Sequence, residues 1–388
     1  MARVLFVTWN GGGNQAPAIG LAIELRDRGH EIIFFGQESQ KERFEADGFS
    51  LKLFTERSPE TATAHGVNAR MQNYLHSIWL NVDMFEDVND ILAQEPIDCL
   101  IVDSMLIGIL ERANSLPIPT VVFFSSVFYA SLSLRDSMIS MGNQQRRAMG
   151  QEALDAGKAK WESQTLVLVT GLREFDTPSE SDFPNVRYVG PIRSHADAHS
   201  SWQSPWSSSD TRPLIVVSYS TNQDQTSAAG LQATLDALQE IDARVLLTTG
   251  GAVPVSALHS PSNARVVGFV PHELVLDEAA LMITHGGHGS VMIALSKGVP
   301  LVCVPSLGAD QPLIAERIEA LGLGKAVPAR PDSQTLVAAV REVLSKTSFK
   351  ATSEKFKKLI ESSRGASQGA EEIEAVIERY KVPREASK

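Results

Sequence analysis

Basic residues, cysteines and long apolar runs are all scarce in this sequence, and each shortage closes off a class of function. Lys and Arg number 35 against 46 Asp and Glu in 388 residues, a formal net charge of −11, and no Lys/Arg cluster interrupts that acidity. A nucleic-acid backbone is held mainly by clustered cationic side chains, so nucleic acid is a poor partner for this chain. No apolar run approaches the roughly 20 residues that cross a bilayer, which argues against a membrane span. The N-terminal apolar run, residues 4–9, is too short for a signal peptide, so the expected location is the cytoplasm. Only two cysteines occur, Cys99 and Cys303, each inside an apolar strand-like run where a small buried side chain suits better than a disulfide or a metal ligand. No G-x-G-x-x-G fingerprint follows the first strand, so a nicotinamide cofactor is not expected.

What the chain does have is a strand, a glycine turn and a helix in succession. Residues 279–284 (AALMIT) read as a buried strand, and residues 291–297 continue as a helix closed by Gly298. Between them lies His285-Gly286-Gly287-His288-Gly289-Ser290. Such a turn leaves several backbone N–H groups unpaired beside the positive end of a helix dipole, which makes a phosphate cradle. Residues 300–305 (PLVCVP) supply the next strand, and Asp310 and Gln311 follow beyond its carboxyl end, on the same sheet edge as the turn. The turn alone does not decide the matter, because similar turns occur in dehydrogenases and in purely structural loops.

The whole stretch, residues 268–311, resembles the donor-binding box of the inverting, metal-independent glycosyltransferases. These enzymes have two facing Rossmann-like domains, the GT-B fold, and include plant secondary-product and bacterial antibiotic glycosyltransferases. The resemblance implies that Phe269 stacks on the nucleotide base while the Val270 backbone reads its edge. It puts His285 on the diphosphate, Gly286, Gly287, Gly289 and Ser290 in the phosphate turn, and Asp310 and Gln311 on the sugar hydroxyls. Ser220 and Thr221, after the strand at residues 214–219, match the loop that approaches the donor phosphates. No metal and no cofactor are implied, in keeping with the lack of any Asp-x-Asp pair. Members that use a UDP-sugar usually carry a glutamate three residues after the Ser290 position, where it bridges the ribose hydroxyls; here the residue is Ile293. An aliphatic side chain cannot accept from a 2′-hydroxyl, so a dTDP-sugar is favoured over a UDP-sugar, and with it a deoxysugar.

The N-terminal half follows the same plan. Residues 2–9 (ARVLFVTW) read as a central strand, residues 10–15 as a glycine turn, and a helix from Pro17 is ended by Gly29 before a strand at residues 31–35. In the resembled family this turn carries Gly-His-x-x-Pro and faces the acceptor. Here it reads Gly13-Asn14-Gln15-Ala16-Pro17, so an amide replaces the catalytic base. Asp103 ends the apolar run 97–102, where the family places an aspartate that orients the histidine; a helix cap or turn role fits that position equally. Asn14 and Asp103 are therefore the catalytic candidates. Asn14 could also merely shape the turn, since Asn tolerates left-handed backbone and caps helices well.

Residues 67–92 carry apolar side chains at helical spacing, and residues 126–141 are rich in aromatics and Met. Either pattern suits core packing; the resemblance also lets Gly13, Met71, Tyr74, Trp79, Phe124 and Phe128 wall the acceptor site. Further strands are expected at residues 165–170, 187–190, 244–249 and 265–268, and helices at 333–344 and 353–380. The Ser-rich, aperiodic stretch 191–213 reads as a linker. The expected α/β architecture is thus an acceptor-binding domain over residues 1–200, a nucleotide-sugar-binding domain over 201–365, and a final helix, 366–388, braced on the first domain. The expected function is transfer of a sugar from a nucleoside-diphosphate donor to an apolar natural-product aglycone, with a homodimer left open. The loss of the usual base keeps rivals in view, a catalytically altered nucleotide-sugar-binding protein or an auxiliary partner of another glycosyltransferase.

Overall fold

In the computed structural model every residue is described except 56–73, 156, 178–182, 193–201, 221–225, 307–309 and 382–388. The chain divides into two compact units, Met1–His195 with Arg364–Lys388, and Ala196–Ser363.

The first unit is built on strands β1 (Arg3–Val7), β2 (Glu31–Gly36), β3 (Ser50–Leu53), β4 (Cys99–Asp103), β5 (Thr120–Phe124), β6 (Leu166–Val169) and β7 (Val186–Tyr188). They form a seven-stranded parallel sheet in the order β3-β2-β1-β4-β5-β6-β7. Val4 and Phe6 of β1 join one hydrophobic cluster, and Leu5 and Val7 join another. That alternation of a nearly continuous apolar strand is what helices on both faces of a parallel sheet require. The helix Ala366–Lys381 belongs to this core, because its Ala370, Ile373, Val376 and Ile377 share a cluster with Ile19, Leu21 and Leu25 of the helix Gln15–Asp27. Burial of each such aliphatic side chain contributes about 1.5–3 kcal/mol, so the chain's last helix is structural and not a loose tail.

The second unit holds β8 (Leu214–Ser218), β9 (Arg244–Thr248), β10 (Ala264–Val267), β11 (Ala279–Thr284), β12 (Leu301–Cys303) and β13 (Gly324–Ala326). They form a six-stranded parallel sheet in the order β10-β9-β8-β11-β12-β13. Ile215, Val217, Leu281 and Ile283 face a cluster completed by the helices Ala228–Leu238 and Ser333–Ser345.

Two expected helices are interrupted. Within residues 67–92, the described part is a π-helical turn, Leu75–Trp79, followed by the helix Met84–Gln94. Between them Asn81 Oδ1 accepts from the Asp83 backbone N–H at 3.0 Å, a local bond that competes with helical pairing. The stretch 353–380 divides into Thr347–Ser362 and Ala366–Lys381. The divider is Gly365, which adopts φ +46°, donates to Val189 O at 2.8 Å, and would place a Cβ 2.8 Å from Pro191 O.

Candidate functional site

Each sheet has one place where its strand order reverses. In the first sheet β1 lies between β2 and β4, and in the second β8 lies between β9 and β11. Connections leave such neighbours in opposite directions, which opens a crevice at their carboxyl ends.

At the first of these points β1 runs into the turn at residues 8–14, and β4 ends in Asp103. Asn14 Nδ2 donates to Asp103 Oδ2 at 2.8 Å and to Trp9 O at 3.1 Å. The other carboxylate oxygen accepts from the Trp9 indole N–H at 3.2 Å and from Met105 N at 2.9 Å. Burial pushes the Asp103 carboxyl up from its ordinary value, against the pull of these donors and of Arg135. The amide orientation follows from the carboxylate, since the reverse would set Oδ1 of Asn14 against an acceptor. Among the described residues, Asn14 Oδ1 is buried and has no hydrogen-bond partner. Asn14 precedes the helix Gln15–Asp27 with right-handed backbone angles and makes no side-chain cap, so its amide serves Asp103 and not the helix. Asp103 also makes the local turn bond to Met105, so its turn role and its hold on Asn14 coexist.

Of the glycines in this turn, Gly13 has open space where a Cβ would stand. Gly11 does not. A Cβ there would lie 2.7 and 2.9 Å from the Trp9 ring and 2.9 Å from Asn14 Oδ1.

At the second reversal β11 runs into His285. Gly286 has φ +87°, and a Cβ on it would meet Cys303 Sγ at 2.8 Å and Gln311 O at 3.2 Å. A Cβ on Gly287 would meet His285 Nε2 at 2.7 Å, so glycine is what lets the imidazole lie across the turn. Gly287 then caps the helix His288–Ser296 with no side-chain bond. The first helical hydrogen bond is Val291 N to Gly287 O at 3.1 Å, and among the described residues the N–H groups of Gly287, Gly289 and Ser290 find no acceptor. His285 Nδ1 is likewise buried without a partner. Burial pushes the His285 imidazole down to about 4, with Asp310 opposing and His272 adding to the shift, so the ring is neutral at pH 7. Asp310 stands at the N-cap of the helix Gln311–Ala320, and Gln311 Oε1 accepts from Ser306 N at 3.0 Å and from the Ser306 hydroxyl. Phe269, just beyond β10, is 68% exposed, whereas Val270 is buried. Ser220 is buried after β8, its carbonyl accepting from the Thr226 hydroxyl at 2.7 Å. The second unit thus offers free N–H groups at a helix start, a neutral imidazole and an exposed aromatic ring.

The acceptor-side expectations fare differently. Met71 and Thr221 lie outside the described residues. Trp79 is buried, edge-on to Trp9 at 5.3 Å between ring centroids. Phe124 and Phe128 were expected at the acceptor, and that expectation is corrected: both are fully buried. The Arg135 guanidinium covers the Phe124 ring at 4.2 Å, and Phe128 packs edge-on against Trp161 and Phe183. They are the core behind the turn and present no surface to a ligand. Sequence reasoning passed over Trp9, Gly11 and His272. A tryptophan at the carboxyl end of the first strand, directly before Asn-Gly-Gly-Gly, was the available signal for the first two. His272, whose imidazole burial pushes down to about 4, had none beyond its nearness to Phe269 in sequence. Among the described residues no helix is long and apolar enough to cross a membrane.

A family model described as "Erythromycin biosynthesis protein CIII-like, C-terminal domain" matches residues 232–375. The chain is 24% identical to a Bacillus subtilis (strain 168) protein named uncharacterized UDP-glucosyltransferase YojK, over 98% of each chain. It is 26% identical to 4'-demethylrebeccamycin synthase of Lentzea aerocolonigenes, over 90% of this chain and 93% of that one. The structure of glycosyltransferase VinC in complex with dTDP superposes with a TM-score of 0.71 at 19% identity, covering 97% of this chain and 100% of that one.

Proposed function

We propose that this chain, which has the GT-B fold, is a glycosyltransferase of the antibiotic-biosynthesis type, a metal-independent inverting enzyme that moves a deoxysugar from a dTDP donor to an apolar natural-product acceptor. The second unit holds the donor. Its unpaired turn N–H groups and the start of the helix His288–Ser296 stabilise the charge that builds on the departing diphosphate, with His285 as a neutral donor. Phe269 supplies the exposed ring for the base.

The nucleotide preference is carried by Ile293, half-buried on that same helix. Facing a ribose 2′-hydroxyl with an aliphatic side chain costs about 1–3 kcal/mol, while a deoxyribose has nothing there to leave unpaired. The VinC complex with dTDP points the same way, and the UDP in YojK's name points the other. Competition binding with TDP and UDP decides between them: TDP should bind at least about fivefold more tightly, from the lower part of that range. Equal or tighter UDP binding removes the inference.

The acceptor reacts at the Asn14 turn. Asp103 accepts three hydrogen bonds, from Asn14, Trp9 and Met105, and we assign it to fixing Asn14 and not to taking the acceptor's proton. An amide cannot take it either. The acceptor hydroxyl must then be acidic in its own right, of phenolic or enolic type, and its proton passes to water. Its oxygen forms the bond to the anomeric carbon from one side while the bond to the diphosphate breaks on the other, the electron pair leaving on phosphate oxygen. Release of nucleoside diphosphate from a dTDP-sugar in the presence of a metal chelator tests the reaction, and no release would leave only a nucleotide-sugar binder.

A further inference from the structure

We propose that Trp9, Tyr74 and Trp79 form an acceptor subsite that selects a flat aromatic ring bearing a hydroxyl, a reading that rests on the acceptor role given to the Asn14 turn. Trp9 meets Tyr74 at 5.8 Å and 64°, and Trp79 at 5.3 Å and 82°, while Tyr74 and Trp79 stack at 5.9 Å and 18°. Trp79 is buried and Trp9 half-buried, but Tyr74 is 37% exposed, so the cluster turns a ring toward its surroundings. Aromatic rings favour offset-stacked and edge-to-face partners, and a flat ring extends such an arrangement where a saturated skeleton cannot.

The cluster is joined to the reacting groups through one residue. The Trp9 indole N–H donates to the same carboxylate that holds Asn14, and the Trp9 carbonyl accepts from the Asn14 amide. Independently of the rings, two polar atoms of these residues are buried without a hydrogen-bond partner among the described residues: Asn14 Oδ1, an acceptor, and Trp79 Nε1, a donor. An aromatic hydroxyl matches both kinds, since its O–H donates to an amide oxygen and its lone pairs accept from an indole N–H. Gly11 keeps the approach open, because any side chain there would press on the Trp9 ring and Asn14 Oδ1 together.

The test uses 2-naphthol and its saturated counterpart decahydro-2-naphthol, two probes with one carbon skeleton, binding to the full chain without a sugar donor in a calorimeter. Wild type should bind 2-naphthol several-fold more tightly than the saturated alcohol. Tyr74→Ala should weaken 2-naphthol about three- to tenfold, the range one aromatic pair supplies, and leave the saturated alcohol within about twofold. Tyr74→Phe should restore binding, and Tyr380→Ala, which removes an exposed ring on the C-terminal helix, should change nothing. TDP binding, assigned to the other unit, serves as the folding control for every variant. Equal affinity for the two probes, or 2-naphthol binding indifferent to Tyr74→Ala, overturns the subsite while leaving sugar transfer standing. Loss of TDP binding in wild type with probe discrimination intact would instead break the donor reading and spare the subsite.

Discussion

Two glycine-rich turns, residues 8–14 and 285–290, each sit at the strand-order reversal of their own sheet, yet their donors are disposed differently. In the first, Gly11 N, Gly13 N and Gln15 N donate to Trp9 O, Gly11 O and Gly12 O, and Asn10 N donates to Gln37 Oε1. In the second, Gly286 N reaches the Thr284 hydroxyl at 3.4 Å, and among the described residues the N–H groups of Gly287, Gly289 and Ser290 find no acceptor. Glycine content does not make an anion site. Unsatisfied N–H groups aimed from a helix start do, and a turn with more of its N–H groups bonded within the chain suits a neutral group better.

The sharpest way to break that contrast is a methyl group in each turn. Gly286→Ala would force a side chain into φ +87° and against Cys303 and Gln311, a strain and clash of about 1–3 kcal/mol or more. Donor turnover should fall by roughly 100-fold, with TDP binding falling alongside. Gly13→Ala meets open space and should keep turnover within about twofold. Equal effects in the two variants would mean that the turns do the same work.

A smaller loss is expected where one hydrogen bond is removed from the donor turn. His285→Ala takes away a neutral donor and should lower donor turnover by at least about tenfold with the fold intact, as followed by nucleoside diphosphate release and circular dichroism. Wild-type turnover in this variant would take His285 out of the site.

The first turn should respond cooperatively. Asn14→Ala and Asp103→Asn each break the same amide–carboxylate bond, so each should lower kcat/KM by about tenfold, and the double variant should lose little more than either single one. If Asp103 were itself the base, Asp103→Asn alone would cost about 10²–10⁴-fold and Asn14→Ala far less. A pH profile of transfer in the three variants separates the outcomes.

The same contrast explains what could be read in the sequence. β11, Ala279–Thr284, is a six-residue apolar run and was legible to its ends. The donor turn is contiguous with it, so its residues were grouped by order alone. β3 and β13 were not legible, because Ser50–Leu53 and Gly324–Ala326 are short edge strands without an apolar run. β13 exists through Gly324, where a Cβ would overlap Leu301 O at 1.8 Å. On the acceptor side, Trp9 and Asp103 are 94 residues apart and meet only because β1 pairs with β4. Phe124 and Phe128 misled because an aromatic and Met-rich stretch has the same pattern whether it lines a pocket or fills a core.

The smallest expected effect is a pH dependence that belongs to the second turn alone. Burial holds His285 near 4, so at neutral pH the ring is uncharged. A diphosphate set against it favours the charged form and raises that value, so binding takes up a proton and TDP affinity should rise as pH falls from 7 toward 5.5. The gain is a few-fold, below the limit of about tenfold per pH unit, because the terminal phosphate itself begins to take a proton near about pH 6. Subtracting the profile of His285→Ala removes that contribution, and calorimetry in buffers of different ionisation enthalpy counts the proton. The stability of the free chain runs the other way. An unfolded histidine titrates near 6.5 and the folded one near 4, so between those values the unfolded state binds more protons and stability falls as pH falls, with His272, also held near 4, acting in the same direction. TDP should therefore protect the chain most at the pH where the free chain is weakest, and the first turn, which carries no histidine, should contribute nothing to the effect. A wild-type affinity profile that superposes on that of His285→Ala would place the histidine away from the diphosphate and leave the free N–H groups of the turn to hold it alone.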